Sequence, residues 1–89
     1  MAFIGQDVEQ VQRLATQLNS KAGDIENVIS QLTSAVNSVE WKGQDAERFK
    51  SDWQSQHLPQ LKKVVEALKN ASQTAKRNAA EQQQTSSKY

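Results

Sequence analysis

At 89 residues, with 36% hydrophobic residues and a mean hydropathy of −0.79, the chain is one domain at most and has little apolar mass for a core of its own. The absence of cysteine excludes disulfides and thiolate metal sites, and no signal peptide or membrane-length apolar stretch is present. The net charge is +1, with the bases concentrated in residues 46–89 but without a nucleic-acid-binding motif, so we expect no nucleic-acid partner.

The first predicted helix spans about residues 8–39, preceded by Asp7 as a candidate N-cap. Its apolar residues alternate at spacings of four and three, which indicates a helix seam with a 3.5-residue period. A second apolar line of Leu14, Val28 and Ala35 widens this seam into a face that can contact two neighbours. The seam consists of Ile4, Val8, Val11, Ala15, Leu18, Ala22, Ile25, Ile29, Leu32, Val36 and Val39.

A short connection, residues 40–43, follows the first helix and contains Trp41 and Gly43. The indole can cover the apolar end of a hairpin, and glycine can adopt backbone conformations that other residues resist. Because a connection of about four residues cannot carry the chain far, the next helix must be an antiparallel neighbour of the first.

The second predicted helix spans about residues 44–82, and its apolar pattern shifts by about one residue in the middle. Pro59 lies at this shift and predicts a kink or local rewinding near residues 56–58. The sequence "EQQQTSSKY" has no apolar period, so we expect a flexible tail over residues 83–89. The apolar positions of this helix are Ala46, Phe49, Trp53, Leu61, Val64, Leu68, Ala71 and Ala75.

These elements predict an all-α fold, an antiparallel helix-turn-helix hairpin that occupies the whole chain as a single domain. Two helices alone would leave the second apolar line of the first helix in water, so we expect two hairpins to pair into a four-helix bundle dimer. The residues predicted to form the hairpin and dimer seam are Val11, Leu18, Ile25, Ile29, Leu32, Val36, Phe49, Trp53, Leu61, Val64 and Leu68.

No catalytic, metal or cofactor site is expected from the side chains present. His57 is the single histidine, whereas a zinc site needs three or four ligands. Glu47 and Asp52 are five residues apart on a helix and therefore lie on different faces, which disfavours an acid/base pair. The serines have no glycine-rich elbow beside them. We therefore predict a binding protein without enzymatic activity.

The residues "WKG" at 41–43, set between two helices in a small cysteine-free chain, resemble the WXG100 family of ESAT-6-like proteins of type VII secretion systems. The segment "GQDAERF" from Gly43 also resembles the start of the second helix in that family. The resemblance implies an antiparallel homodimer or heterodimer, and export from a Gram-positive bacterium by a membrane ATPase. It implies no cleaved signal peptide, and a cytoplasmic pool before export.

One departure from the family pattern concerns the export signal, a Tyr-x-x-x-Asp/Glu motif after the second helix. The single tyrosine here, Tyr89, is the last residue of the sequence. Either the partner subunit carries the signal, or the sequence is truncated, or the signal has another form. Our working hypothesis is that the partner supplies it.

Two other functions remain open at the level of the sequence. The chain could be the escort partner of a larger type VII toxin, or a cytosolic coiled-coil adaptor without an export role. Membrane binding is not expected, because the first helix is acidic and Pro59 interrupts the basic second helix.

Overall fold

The computed structural model describes the backbone of residues 3–87 and the side chains of residues 8–83. It contains α1 (Phe3–Ser38), α2 (Gln44–Asp52), a π-helical turn (Trp53–His57) and α3 (Leu58–Ser87). We call α2, the π-helical turn and α3 together the second arm. No strand occurs over residues 3–87, and the predicted all-α antiparallel hairpin is confirmed. The hairpin is a rod of 68 × 17 × 13 Å.

Both long helices extend beyond the limits predicted from the sequence. Helix α1 begins at Phe3 rather than near Val8, so Asp7 lies inside the helix instead of capping it. The apolar seam starts at Ile4, one turn before Val8, and the helix follows the seam. Helix α3 continues to Ser87 through a run of glutamines, which are good helix formers. Of the tail predicted to be flexible, residues 88 and 89 lie outside the described part of the chain.

The interior of the hairpin is formed by residues that recur every seven positions on both long helices. Most of them are small, which lets the two backbones approach closely. Val65 packs with Ala22 and Ile29 at the centre, and Ile25, Leu58, Leu61 and Leu68 pack against this cluster while partly exposed. The fully buried positions between the helices are Val8, Ala15, Ala22 and Ile29 of α1 and Val65, Ser72 and Ala79 of α3.

Ser72 is a buried polar residue in this apolar interior, with 1% of its surface exposed. Its hydroxyl donates a hydrogen bond of 2.6 Å to the backbone carbonyl oxygen of Ala15 in the opposite helix. A buried hydroxyl without a partner would be destabilising, so α1 and α3 are favoured in the alignment that supplies this acceptor. Ser72 thereby helps to fix the register of the two helices.

Two further cross-helix contacts follow the same antiparallel alignment towards the turn. The Lys69 ammonium lies 3.0 Å from the Glu26 carboxylate. The Trp53 indole N–H donates a 3.0 Å hydrogen bond to the Thr33 hydroxyl. The ion pair is partly exposed and contributes little to stability, whereas the indole bond ties the π-helical turn to α1.

The π-helical turn accommodates one additional residue just before Pro59. The Leu58 N–H donates to the Trp53 carbonyl five residues back, rather than to the carbonyl four residues back as in an α-helix. Proline has no N–H, and its ring clashes with the preceding turn of a regular helix, so the wider turn relieves this clash. The additional residue also rotates α3 relative to α2, which accounts for the shift in the apolar pattern.

The buried hydroxyl of Ser72 generates the first testable prediction. We expect Ser72→Ala to lower the free energy of unfolding by about 1 kcal/mol relative to Ser20→Ala, because it alone removes a cross-helix hydrogen bond. Ser20 is exposed on α1, so its replacement by alanine gives the same gain in helix propensity without the loss of a cross-helix hydrogen bond. Urea denaturation followed by circular dichroism at one fixed protein concentration would measure both, and equal stabilities would contradict this role of Ser72.

The π-helical turn generates a second prediction. In a Pro59→Ala background, we expect deletion of Gln56 to restore a regular helix and change the free energy of unfolding by less than about 2 kcal/mol. Deletion of Asn70 in the same background should abolish cooperative unfolding, since it rotates Ser72 and Ala79 out of the interior by about 100°. Thermal melting followed by circular dichroism distinguishes the two deletion variants. An equal loss of stability in both would contradict the proposed role of the π-helical turn.

Candidate protein–protein interface

An apolar face lies open to solvent along one side of the hairpin. On α1, the exposed apolar residues form one stripe beside the buried positions. Around the helix axis, this stripe is displaced from the buried positions by about a quarter of a turn. Several partly buried residues lie between this stripe and the interior. We call the following set the open face: the exposed residues Leu14, Val28, Leu32, Val39, Phe49 and Val64, and the partly buried residues Val11, Leu18, Ile25, Leu61 and Leu68.

The α3 residues of the open face lie on the same side of the hairpin as those of α1. Val64 precedes the buried Val65 by one position, and Val28 precedes the buried Ile29 in the same way. The two stripes are therefore displaced from the interior in the same angular sense. Because the helices are antiparallel, displacement in the same sense brings both stripes to one side of the rod. The two stripes form one continuous surface.

Phe49 belongs to this surface because of the π-helical turn. In a regular helix, the residue fourteen positions before Val64, residue 50, would lie in line with Val64 on the open face. The additional residue of the π-helical turn brings residue 49 to this place instead. Phe49 is 45% exposed, like the other large apolar residues of the open face. The open face therefore extends into α2.

Few charged residues lie along the open face, but Asp45 is one of them, because it precedes the buried Ala46 by one position as Val28 precedes Ile29. Lys21 lies in line with Leu14 and Val28, and its ammonium is 3.9 Å from the Asp24 carboxylate one turn away. The opposite side of the hairpin is polar, with a shallow groove of about 430 Å³. Residues lining that groove include Glu26, Ser30, Thr33, Lys62 and Glu66. One side of the hairpin is thus suited to protein contact and the other to water.

The structure distributes the residues of the predicted seam over three environments. Ile29 is buried in the hairpin, whereas Leu32, Phe49 and Val64 are exposed. The remaining members are partly buried, at the boundary between the hairpin interior and the open face: Val11, Leu18, Ile25, Val36, Trp53, Leu61 and Leu68.

Sequence reasoning did not single out the inner residues of α3. The buried residues of α3 are Val65, Ser72 and Ala79. Because the middle one is a serine, the three do not stand out in the sequence as an apolar series. The signal that could have revealed them is the exact seven-residue spacing that they share with Leu58.

The turn places two aromatic rings against each other at the end of the rod. The Trp41 and Phe49 ring centroids are 5.7 Å apart, with the rings tilted by 53°, a favourable geometry for an aromatic pair. Trp41 remains 44% exposed. The aromatic pair joins the turn to the open face.

Gly43 begins the second arm with a backbone conformation reserved for glycine. Its φ is 116° and its ψ is 176°, a region that side chains exclude. Its carbonyl oxygen accepts the hydrogen bond of the Glu47 N–H at 3.1 Å, which starts α2. Gly43 therefore sets the direction in which the second arm leaves the turn.

Over the described residues, no group of three or more histidine, cysteine or acidic side chains is placed to hold a metal ion. No helix within the same part of the chain combines the length and apolarity needed to cross a membrane.

The conformation of Gly43 generates a third prediction. We expect Gly43→Ala to destabilise the hairpin by about 1–3 kcal/mol through backbone strain alone, because a Cβ at this position meets no atom within 4 Å. Gly23→Ala is the matched control. A Cβ there also meets nothing within 4 Å, but the residue is helical, so alanine should stabilise by up to about 1 kcal/mol. Urea denaturation measures both, and a neutral Gly43→Ala would contradict the strain.

Comparison with known proteins adds to this geometry. The family model WXG100, proteins of 100 residues with WXG, matches residues 4–87. No match was found among curated proteins or among solved structures. The matched region includes both arms of the hairpin and the turn, in which Trp41 and Gly43 stand at the positions that give the family its name. The chain therefore belongs to the WXG100 family, the ESAT-6-like proteins related to type VII secretion.

Proposed function

We propose that this chain is a pairing subunit of a type VII secretion system, which joins a second hairpin through the open face to form a four-helix bundle. The observation that carries the proposal is the continuous apolar surface along one side of the rod. WXG100 proteins typically pair as hairpin dimers, and the open face is the surface on which a second hairpin would bury the most apolar area.

The dimensions of the hairpin support an interface of ordinary size. A side of 68 by 17 Å presents roughly 1,100 Å² in projection, and a stable protein–protein interface buries about 800 Å² on each partner. Burial of apolar surface contributes about 25 cal/mol per Å² before the cost of association is subtracted. A second hairpin along the full length of the open face therefore has enough surface for stable pairing.

The paired bundle is the unit that we propose the secretion ATPase handles. In this proposal the dimer forms in a cytoplasmic pool and is exported from a Gram-positive bacterium without cleavage of a signal peptide. The exposed Trp41 and Phe49 pair leaves an apolar contact at the turn end of the rod for the machine or the partner.

The pairing proposal is tested by placing a charge on the open face. Val28 is 49% exposed in the single hairpin, so Val28→Asp should leave the hairpin helical. A carboxylate buried at an interface costs several kcal/mol, so we expect the Kd for pairing to rise at least about 100-fold. Sedimentation equilibrium measures pairing, and circular dichroism on the same samples measures folding.

Two neighbouring substitutions serve as controls. Asn27→Asp adds the same charge on the outward side of α1 and should leave pairing intact. Ile29→Asp places the charge in the hairpin interior, where Ile29 is 7% exposed, and should unfold the hairpin itself. Normal pairing by the Val28→Asp variant would contradict the assignment of the interface.

The export proposal has a separate test, in which the protein is sought in culture supernatant of the source bacterium with and without the secretion ATPase. We expect it in the supernatant only when the ATPase is present, and a cytoplasmic protein should serve as the marker of lysis. A protein that stays in the cells in both strains would favour the coiled-coil adaptor without an export role.

A further inference from the structure

We infer that the polar side of the hairpin, opposite the open face, is a second docking surface, which binds an acidic α-helix of a protein other than the pairing subunit. Lys62 and Lys76 of α3 hold two carboxylates of that helix. The inference goes beyond the proposed pairing function, because the polar side remains on the outside of the bundle when two hairpins pair through the open face. Its contacts are ion pairs and hydrogen bonds rather than apolar burial.

Three lysines of α3 recur at seven-residue intervals along the polar side. We call Lys62, Lys69 and Lys76 the basic row. Lys62 lines the polar groove, and Lys69 lies against Glu26, another residue of that groove. Because a helix rises about 1.5 Å per residue, the two outer lysines are about 21 Å apart along the rod. The basic row therefore follows the edge of α3 that faces α1 on the polar side.

The middle lysine of the basic row has a carboxylate opposite it on α1, whereas the two outer lysines have uncharged residues. Lys69 lies 3.0 Å from Glu26. Because the helices are antiparallel, seven residues forward on α3 correspond to seven residues back on α1. By this spacing Asn19 lies opposite Lys76, and Thr33 lies opposite Lys62. Over residues 8–83, neither outer lysine takes part in an ion pair, so both ammonium groups can bind carboxylates of a partner.

The groove beside Lys62 supplies further hydrogen-bond donors. Its volume is about 430 Å³, and its walls include Ser30 and Ser34 of α1. Ser38 and Ser55 donate to a carbonyl oxygen of the preceding helical turn, but the hydroxyls of Ser30 and Ser34 make no hydrogen bond within the part of the chain that the structure describes. A carboxylate accepts hydrogen bonds from hydroxyl and ammonium groups alike. The groove can therefore hold the head of one acidic side chain.

The other residues of the groove favour a protein side chain over a dense polyanion. Ile29, Leu58 and Val65 also line the groove, and these apolar surfaces suit the methylene groups of a glutamate. Glu26 and Glu66 line it as well, and they repel any further negative charge. Nucleic acid presents closely spaced phosphates, which would meet these two carboxylates. A single glutamate avoids them.

The α1 edge of the polar side permits a helix to approach closely. Its residues at seven-residue intervals are small and uncharged: Thr16, Gly23, Ser30 and Asn37. Side chains of this size let two helix axes come near each other. On a partner helix, residues fourteen positions apart are about 21 Å apart and lie on nearly the same face. A helix with two glutamates at that spacing therefore matches Lys62 and Lys76.

Titration with a helical peptide tests this inference. The probe is an alanine-rich peptide with two glutamates fourteen residues apart. The control peptide has the same composition with the glutamates sixteen residues apart, which places them on opposite faces. We expect NMR titration of the isotope-labelled chain, at low ionic strength where charges are screened least, to show saturable shifts around Lys62 and Lys76 with the probe. Equal shifts with both peptides would overturn the inference.

A pair of double variants tests whether the basic row itself binds the probe. Lys63 and Arg77 each follow an outer lysine by one position, so they lie at the same heights but on the outward side of α3. We expect Lys62→Gln with Lys76→Gln to raise the Kd for the probe about tenfold, because two exposed ion pairs are lost. Lys63→Gln with Arg77→Gln removes the same charge and should change the Kd less than about twofold. An equal rise in both double variants would mean attraction to net charge alone and would overturn the inference.

Two further measurements separate this inference from a lipid surface and from the pairing function. Vesicles containing phosphatidylserine should bind both double variants equally, since a flat membrane also reaches Lys63 and Arg77. Vesicle binding that is lost only with Lys62→Gln and Lys76→Gln would assign the polar side to lipid and overturn the inference. By sedimentation equilibrium, that double variant should pair like the unmodified chain. Loss of pairing would place the polar side inside the bundle and overturn the inference, whereas probe binding by the Val28→Asp variant would support it even without pairing.

Discussion

The rest of the structure depends on the close contact between α1 and α3, which is made by small side chains at seven-residue intervals. Ala15 and Ala22 of α1 and Ser72 and Ala79 of α3 are almost completely buried. Their small size brings the backbones near enough for the Ser72 hydroxyl to reach the Ala15 carbonyl oxygen at 2.6 Å. Contacts of this kind depend on position more than on buried area, so they align the helices accurately while contributing little apolar burial.

The small size of the inner side chains explains why the larger apolar residues lie outside the hairpin interior. When two helices approach through alanine and serine, little room is left between them, and leucine, isoleucine and valine are displaced to the flank. Ile25, Leu61 and Leu68 pack against the interior with one part of their surface and meet solvent with the other. In such a hairpin the two backbones are well aligned, but much of the apolar side-chain surface remains exposed to water. This exposed apolar surface is the physical basis of the proposed pairing function.

The turn and the π-helical segment set the direction and the phase of the second arm. Gly43 adopts φ 116° where the chain reverses, and the widened turn at Trp53–His57 adds the residue that Pro59 makes necessary. The indole N–H of Trp53 ties that segment to Thr33 of α1 at 3.0 Å. Without the additional residue, Phe49 would fall out of line with Val64, and the apolar surface would end at the junction of α2 and α3.

The sequence by itself determined the hairpin, because the alternation of apolar residues is a local pattern and four residues between two helices leave room only for reversal. The shift of the apolar pattern at Pro59 is also a local feature, so the sequence alone was enough to predict it. Only the tertiary structure decided which apolar residues face inward, since that choice depends on how closely two helices approach. Val64 and Val65 are adjacent in the sequence, yet one is 49% and the other 4% exposed. The identity of Ser72 as an interior residue was decided in the same way, because a hydroxyl becomes suitable for burial only when a carbonyl oxygen of another helix lies within reach.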